Sequence, residues 1–133
     1  MSGPPESDQQ RRDAGMRTRR EVLGDAWVDR AVAGTTPFTA DFQDFITRVA
    51  WGDVWQRPGL ARRDRSLMTL SITIALRHWD EFALHVRAAR NNGLTDEEIA
   101  EVIQHAAVYA GVPAANHAFK VAAPILEELR GQA

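Results

Sequence analysis

A carboxylate one helical turn from an imidazole is the outline of a proton-handling pair, and this chain carries one at Glu81 and His85. Both lie in Arg77-His78-Trp79-Asp80-Glu81-Phe82-Ala83-Leu84-His85-Val86-Arg87-Ala88-Ala89-Arg90-Asn91-Asn92-Gly93, which reads as a short helix closed by a glycine. Phe82, Val86 and Ala89 form an apolar stripe on it. His78 joins the Glu81 face if the helix begins early enough. Spacing alone allows two readings. One is a surface ion pair worth a few tenths of a kcal/mol. The other is a carboxylate that orients the histidine, or raises its pKa, for acid–base work.

The remaining polar candidates are spread along the chain. His78 and His85, two turns apart at roughly 10 Å, are too distant to share a metal ion directly. Glu81 and His85 could share one, but no third ligand is marked and HExxH is missing, so no metal centre is expected. Asn116 and His117 fall in the first turn of the last helix, as pocket groups or, for Asn116, as a helix cap. Tyr109 precedes a Gly-Val-Pro turn, where its hydroxyl can aim into the same corner or pack as core. Fifteen of the sixteen basic residues are Arg, the side chain best shaped to grip a carboxylate with two parallel bonds. Arg62, Arg63 and Arg65 cluster before an apolar helix, which ordinarily means a solvated face.

Composition limits what these groups serve. With 133 residues, 44% hydrophobic, the chain can form one globular domain with a real core. A net charge of −2 gives no field to gather nucleic acid or an anionic membrane, so neither is expected as a partner. The absence of cysteine excludes disulfides, thiolate nucleophiles, zinc–thiolate sites and iron–sulfur clusters. Neither a signal peptide nor a membrane-length apolar run is visible, and a cytoplasmic location is expected.

The elements that must position the candidates are all helical. Residues 1–10 read as a disordered tail and residues 11–133 as one domain. A polar-rich helix spans residues 11–23, with Met16, Val22 and Leu23 as its apolar contacts. Asp25 is placed to cap a second, residues 26–33, with Trp27, Ala31 and Val32 inward. A third covers residues 39–51 and is expected to bury Phe38, Phe42, Phe45, Ile46 and Val49, with Gly52 following it. The segment from Asp64 through Leu76 is apolar nearly all round, which predicts a central helix. Thr95 and Glu98 form a capping box that opens a helix burying Ile99, Val102, Ile103, Ala106 and Ala110. Pro113 opens the last helix, which is expected to bury Phe119, Ala122, Ala123 and Leu126 and to kink at Pro124. The sum is an all-α orthogonal bundle of about six or seven helices.

Three stretches together resemble one family. Trp55-Gln56-Arg57-Pro58-Gly59-Leu60-Ala61-Arg62-Arg63-Asp64-Arg65-Ser66-Leu67 resembles the W-x-R-P-G-L-x-R-R-x-R-S-L segment of carboxymuconolactone decarboxylases. Glu81 to Gly93 resembles their E-L-x-x-H-x-R-A-A-x-N-x-G helix, with Phe82 in place of Leu. Val108-Tyr109-Ala110-Gly111-Val112-Pro113-Ala114-Ala115 resembles their V-Y-A-G-V-P-A-A turn. Gly15-Met16 and Arg19-Arg20-Glu21-Val22-Leu23-Gly24 also fit, so the resemblance covers nearly everything after residue 12. It implies the AhpD-like fold. In the AhpD type this helix carries C-x-x-C-x-x-x-H; His85 matches the histidine, and His78 and Glu81 stand where the cysteines would, so that redox chemistry is lost.

The resemblance implies decarboxylation of 4-carboxymuconolactone to the β-ketoadipate enol-lactone in aromatic catabolism, with no cofactor. His85 is then the proton donor, oriented by Glu81, and one or more of Arg63, Arg65 and Arg77 binds the dicarboxylate. His78, Tyr109, Asn116 and His117 line the pocket or polarise the lactone carbonyl. A homo-oligomer, trimer or hexamer, is implied, whose interface could hide one or two of the four Trp. Two rivals stay open: an enzyme for another lactone or keto acid, and a non-catalytic helical assembly module.

Overall fold

The computed structural model describes residues 7–132. Among them, seven α-helices and one π-helical segment follow in order, with no strand, so the all-α class is observed: α1 (Asp8–Leu23), α2 (Asp25–Ala33), α3 (Ala40–Ile46), the π segment (Thr47–Trp55), α4 (Arg62–Ala75), α5 (Trp79–Asn91), α6 (Asp96–Ala110) and α7 (Val112–Gly131). Contacts divide the chain into two compact units, Met1–Leu60 and Ala61–Ala133. No helix of the described residues is long and apolar enough to cross a membrane.

In the first unit α1 begins three residues earlier than the sequence suggests. Ser7 and Gln10 form a reciprocal capping box, which satisfies backbone donors at the helix start. The rest of the expected tail, residues 1–6, lies outside the described residues. Asp25 does not cap α2: Gly24, at φ +90°, holds that place, and the Asp25 carboxylate accepts from Arg20 at 3.1 Å. Val28 is fully buried on α2, whereas Val32 is exposed and Trp27 half-buried.

Gly52 does not stop a helix. It lies buried inside the π segment, where a Cβ would sit 2.5 Å from the Arg11 carbonyl oxygen; a Cβ on Gly15 would sit 2.0 Å from that of Thr47. The two glycines are there because α1 and the π segment cross at backbone contact. The expected burial of the phenylalanine stripe is overturned: Phe38 is 96% exposed, and Phe42 and Phe45 are also exposed. Periodicity specifies an apolar face, not the element that covers it. Here α3 packs chiefly on the π segment that continues it.

The second unit is a ring of four helices. α4 packs on α5 and α6, and α7 packs on the same two. Leu70, Ile74, Phe82, Val86, Ala89, Leu94, Ile99, Ile103, Ala118, Ala122 and Leu126 fill the middle. The Thr95 capping box forms as expected: Glu98 N–H donates to Thr95 Oγ1 at 3.1 Å and Thr95 N–H to Glu98 Oε1 at 3.0 Å.

Two expectations fail here. α4 is one of four equals rather than a central helix: Met68, Ile72 and Leu76 are exposed, while Ser66 and Thr73 share its buried face. Helical Ser and Thr can turn inward when the hydroxyl finds a partner, and Thr73 Oγ1 donates to the Thr69 carbonyl at 2.8 Å. On α7 the inward face is Ala114, Ala115, Ala118, Ala122 and Leu126, leaving Phe119 and Ala123 exposed. Pro124 sits on the exposed side within one continuous helix. Small residues inward allow α7 to approach α5 and α6 closely.

Candidate active site

The site builds outward from the turn between α4 and α5. α4 ends with the His78 N–H donating to the Thr73 carbonyl at 2.9 Å and the Arg77 N–H to that of Ile74 at 3.1 Å. That pair of bonds is the Schellman arrangement, which needs a left-handed residue at its penultimate position. The residue there is Arg77, at φ +57°, the single non-glycine with positive φ among the described residues. A side chain in that conformation costs on the order of 1–2 kcal/mol. Arg77 and His78 are both exposed, and the Arg77 guanidinium has no ion pair or hydrogen bond among the described residues.

His78 then serves as N-cap of α5, through its backbone only. Its carbonyl accepts from the Phe82 N–H at 2.9 Å. The stripe of Phe82, Val86 and Ala89 is buried as expected and fixes the helix's rotation. That rotation also carries His85 inward, to 6% exposure, while Glu81 stays largely in solvent. His85 Nε2 and Glu81 Oε2 are 3.8 Å apart, close enough for a charge pair but beyond a hydrogen bond. The expectation that Glu81 raises the His85 pKa is not met. Burial disfavours the charged imidazole and lowers its pKa to about 4. Desolvation of an inward ring outweighs an exposed carboxylate, because water screens the latter. His85 is a neutral imidazole at neutral pH.

The other candidates separate into groups. Arg63, in the first turn of α4, bonds the Glu98 carboxylate; this bond raises the Arg63 pKa and, with the Thr95 backbone, lowers that of Glu98. Arg63 and Arg77 stand about 20 Å apart along α4, so a single small ring cannot bridge their backbones. Arg65 is half-buried, and its carbonyl accepts from Thr69 Oγ1 at 2.9 Å. Tyr109 is 81% exposed at the end of α6, with its ring 5.2 Å from that of His105. Asn116 and His117 are exposed on the second turn of α7, one turn later than the sequence suggests, because α7 begins at Val112. His117 does reach the α4–α5 turn, since its ring centroid lies 4.5 Å from that of Trp79.

Two positioning features escaped the sequence reading. Trp79, the first residue of α5, links the turn to α7. Ser66, fully buried, accepts from Asn92 Nδ2 at 2.9 Å and ties the end of α5 to α4. A serine in an otherwise apolar helix and an asparagine before a glycine were the available signals. No group of three or more His, Asp or Glu among the described residues is placed to hold a metal ion.

Chemically, the second unit offers a guanidinium with no bond among the described residues, an imidazole on the same turn, and a buried neutral imidazole two helical turns further along. Such a set can bind an anion and move a proton. Residues 40–124 match the model of the carboxymuconolactone decarboxylase family. The chain is 46% identical over 123 residues to a 4-carboxymuconolactone decarboxylase of Acinetobacter baylyi, covering 92% of each. It is also 46% identical over 117 residues to a nitrosuccinic acid decarboxylase of Metarhizium robertsii, covering 88% of this chain and 82% of the relative. A 4-carboxymuconolactone decarboxylase sequence of Pseudomonas putida matches 35% of this chain at 54% identity. Its length, its ordered motifs and these matches place the chain in the carboxymuconolactone decarboxylase family.

Proposed function

We propose that the chain decarboxylates 4-carboxymuconolactone to the β-ketoadipate enol-lactone and CO2, with no cofactor. Kinship supplies the substrate. The structural observation that carries the reading is the α4–α5 turn, where Arg77 is held left-handed beside His78 at the head of the helix that buries His85. Of the three arginines named from sequence, Arg77 is the carboxylate clamp: it stands at this turn, whereas Arg63 is engaged by Glu98 and Arg65 is half-buried on α4 with an interaction of its own.

The chemistry needs little else. The bond from ring carbon to carboxylate breaks, CO2 leaves, and the electron pair moves through the ring double bond onto the lactone carbonyl, giving a dienolate. The substrate is its own electron sink. Hydrogen-bond donors near that carbonyl lower the barrier as the charge develops. His117, whose ring lies 4.5 Å from that of Trp79, is the donor placed at the turn; its neighbour Asn116 and Tyr109 are further candidates. A proton must then reach carbon, and His85 delivers it. A neutral His85 cannot do so unaided. Binding a dianion beside it favours the imidazolium, and Glu81 at 3.8 Å then becomes its partner. One proton is taken from solvent per turnover, balancing dianion to monoanion plus CO2.

The decisive assay follows ultraviolet absorbance of 4-carboxymuconolactone with purified protein, with and without chelator. Turnover in both, lost in His85→Gln, is the expected result; a chelator-sensitive rate or an active His85→Gln protein counts against it. The equal identity to the Metarhizium robertsii enzyme favours one second reading, a nitro dicarboxylic acid as substrate. There the nitro group takes the electron pair in place of the lactone carbonyl. The ratio of kcat/KM for the two substrates decides between them. Self-association, as trimer or hexamer, belongs to the same proposal. It is supported by exposed apolar residues in the second unit, among them Met68, Ile72, Val108 and Val112, rather than by the tryptophans. Trp51 is already buried and Trp27, Trp55 and Trp79 are half-buried. Light scattering after size exclusion tests it, and a monomer at assay concentration overturns it.

A further inference from the structure

We propose that Trp79 is a positioning residue for His117, holding the imidazole at the α4–α5 turn where the lactone carbonyl is polarised. The inference rests on the reading of that turn as the site. His117 is exposed on α7, and an exposed side chain ordinarily samples several rotamers. Its ring instead lies tilted at 47° against that of Trp79, with centroids 4.5 Å apart. Trp79 is itself fixed, edge to face on Phe82 at 5.8 Å and 89°, and Phe82 is fully buried in the core. A rigid line therefore runs from the core through Trp79 to His117. Trp79 is next in sequence to His78 and two residues from Arg77, so the line ends at the turn that presents the guanidinium. Donors that stabilise a developing oxyanion act by being held in place beforehand. Loosening His117 lowers kcat and leaves substrate binding, through Arg77, largely intact.

The test is a double-mutant cycle on the full chain with 4-carboxymuconolactone as substrate. His117→Gln is expected to lower kcat about 100-fold. Trp79→Met, which keeps an apolar side chain and loses the ring, is expected to lower kcat at least about 10-fold with KM within about twofold. The double variant should be no slower than His117→Gln alone, and Trp79→Phe should recover most of the rate. Additive losses, or a Trp79→Met enzyme that melts lower but turns over at full kcat, overturn the proposal. Should Trp79→Met not fold, the imidazole proton resonances of His117 in wild type and Trp79→Phe carry the test. A ring-current shift that changes on substitution supports the ring contact, and unshifted resonances overturn it. Failure of the underlying reading looks different. Full turnover in His85→Gln and Arg77→Gln would remove the site itself, whereas dependence on those two without dependence on Trp79 overturns this inference alone.

Discussion

Two helix ends in the second unit are built by the same backbone and finished with opposite residues. At the end of α5, the Leu94 N–H donates to the Ala89 carbonyl at 3.0 Å and the Gly93 N–H to that of Arg90 at 3.1 Å. The left-handed place is taken by Gly93 at φ +96°, and the next residue, Leu94, is fully buried. Glycine there avoids the Cβ clash, and a buried apolar residue after it completes the cap. The end of α4 makes the corresponding bonds with Arg77 and His78. Both are exposed and neither suits the geometry. The α5 end is finished for stability. The α4 end accepts a local cost where two chemistry-bearing side chains are displayed, which is where strain and function commonly coincide.

The sharpest way to break the contrast is at the group the α4 end is proposed to serve. His85→Gln is expected to lower kcat by 10²–10⁴-fold, roughly the share of a proton-transfer group, with the helical circular dichroism unchanged. Near-full turnover would leave the α4 turn without a catalytic partner. Arg77→Gly comes next, since it converts the α4 end into a copy of the α5 end. We expect kcat/KM to fall about 10- to 100-fold as a charge-assisted carboxylate contact is lost. The same protein should be more stable by about 1 kcal/mol, or roughly 3 °C in melting temperature. A variant both more stable and fully active would show that arginine at this position is incidental.

Acid should expose the cost of burying His85 on α5. The buried His85 has its pKa lowered from 6.5 to about 4, so between those values the unfolded chain binds the proton and the folded chain does not. Stability therefore rises with pH through this window and is lost as pH falls through it, by up to about 3 kcal/mol in all. Glu98 has its pKa lowered below 4.5, so its contribution is lost at lower pH than most of this loss. Urea midpoints measured from pH 7 to pH 4 should drop in wild type and stay nearly flat in His85→Gln. A drop of equal size in both would assign the acid sensitivity to other groups.

The legible parts of the molecule were those decided locally. The capping box at Thr95, the glycine stop at Gly93 and the stripe of Phe82, Val86 and Ala89 depend on residues within one or two turns, and all three are present. What the sequence hid depends on distant partners. The phenylalanine stripe of α3 has the period of a buried face but no covering element within its unit. Gly52 was placed only after the helix of residues 39–51, because its use, contact with the Arg11 carbonyl, lies far away in sequence. At the candidate site, Glu81 and His85 were visible from spacing. The inward turn of His85 was not, since it follows from how α5 docks through its other residues. Arg77 was one arginine among fifteen, and no local signal marks a non-glycine in a left-handed cap.

The smallest expected effect lies at the other end of α4, and it sharpens the choice of clamp. Arg63 and Arg77 carry the same charge, but Arg63 spends its guanidinium on Glu98 while that of Arg77 has no bond among the described residues. Both members of the Arg63–Glu98 pair are substantially exposed, and water screens such pairs strongly. Arg63→Gln should therefore lower the melting temperature by only about 1–3 °C and leave kcat/KM within about twofold. The capping box survives, because Glu98 Oε1 still accepts from Thr95 N–H. If Arg63→Gln instead cost turnover as much as Arg77→Gly, the ion pair with Glu98 would have to open during catalysis. The left-handed arginine would then lose its claim to be the sole clamp.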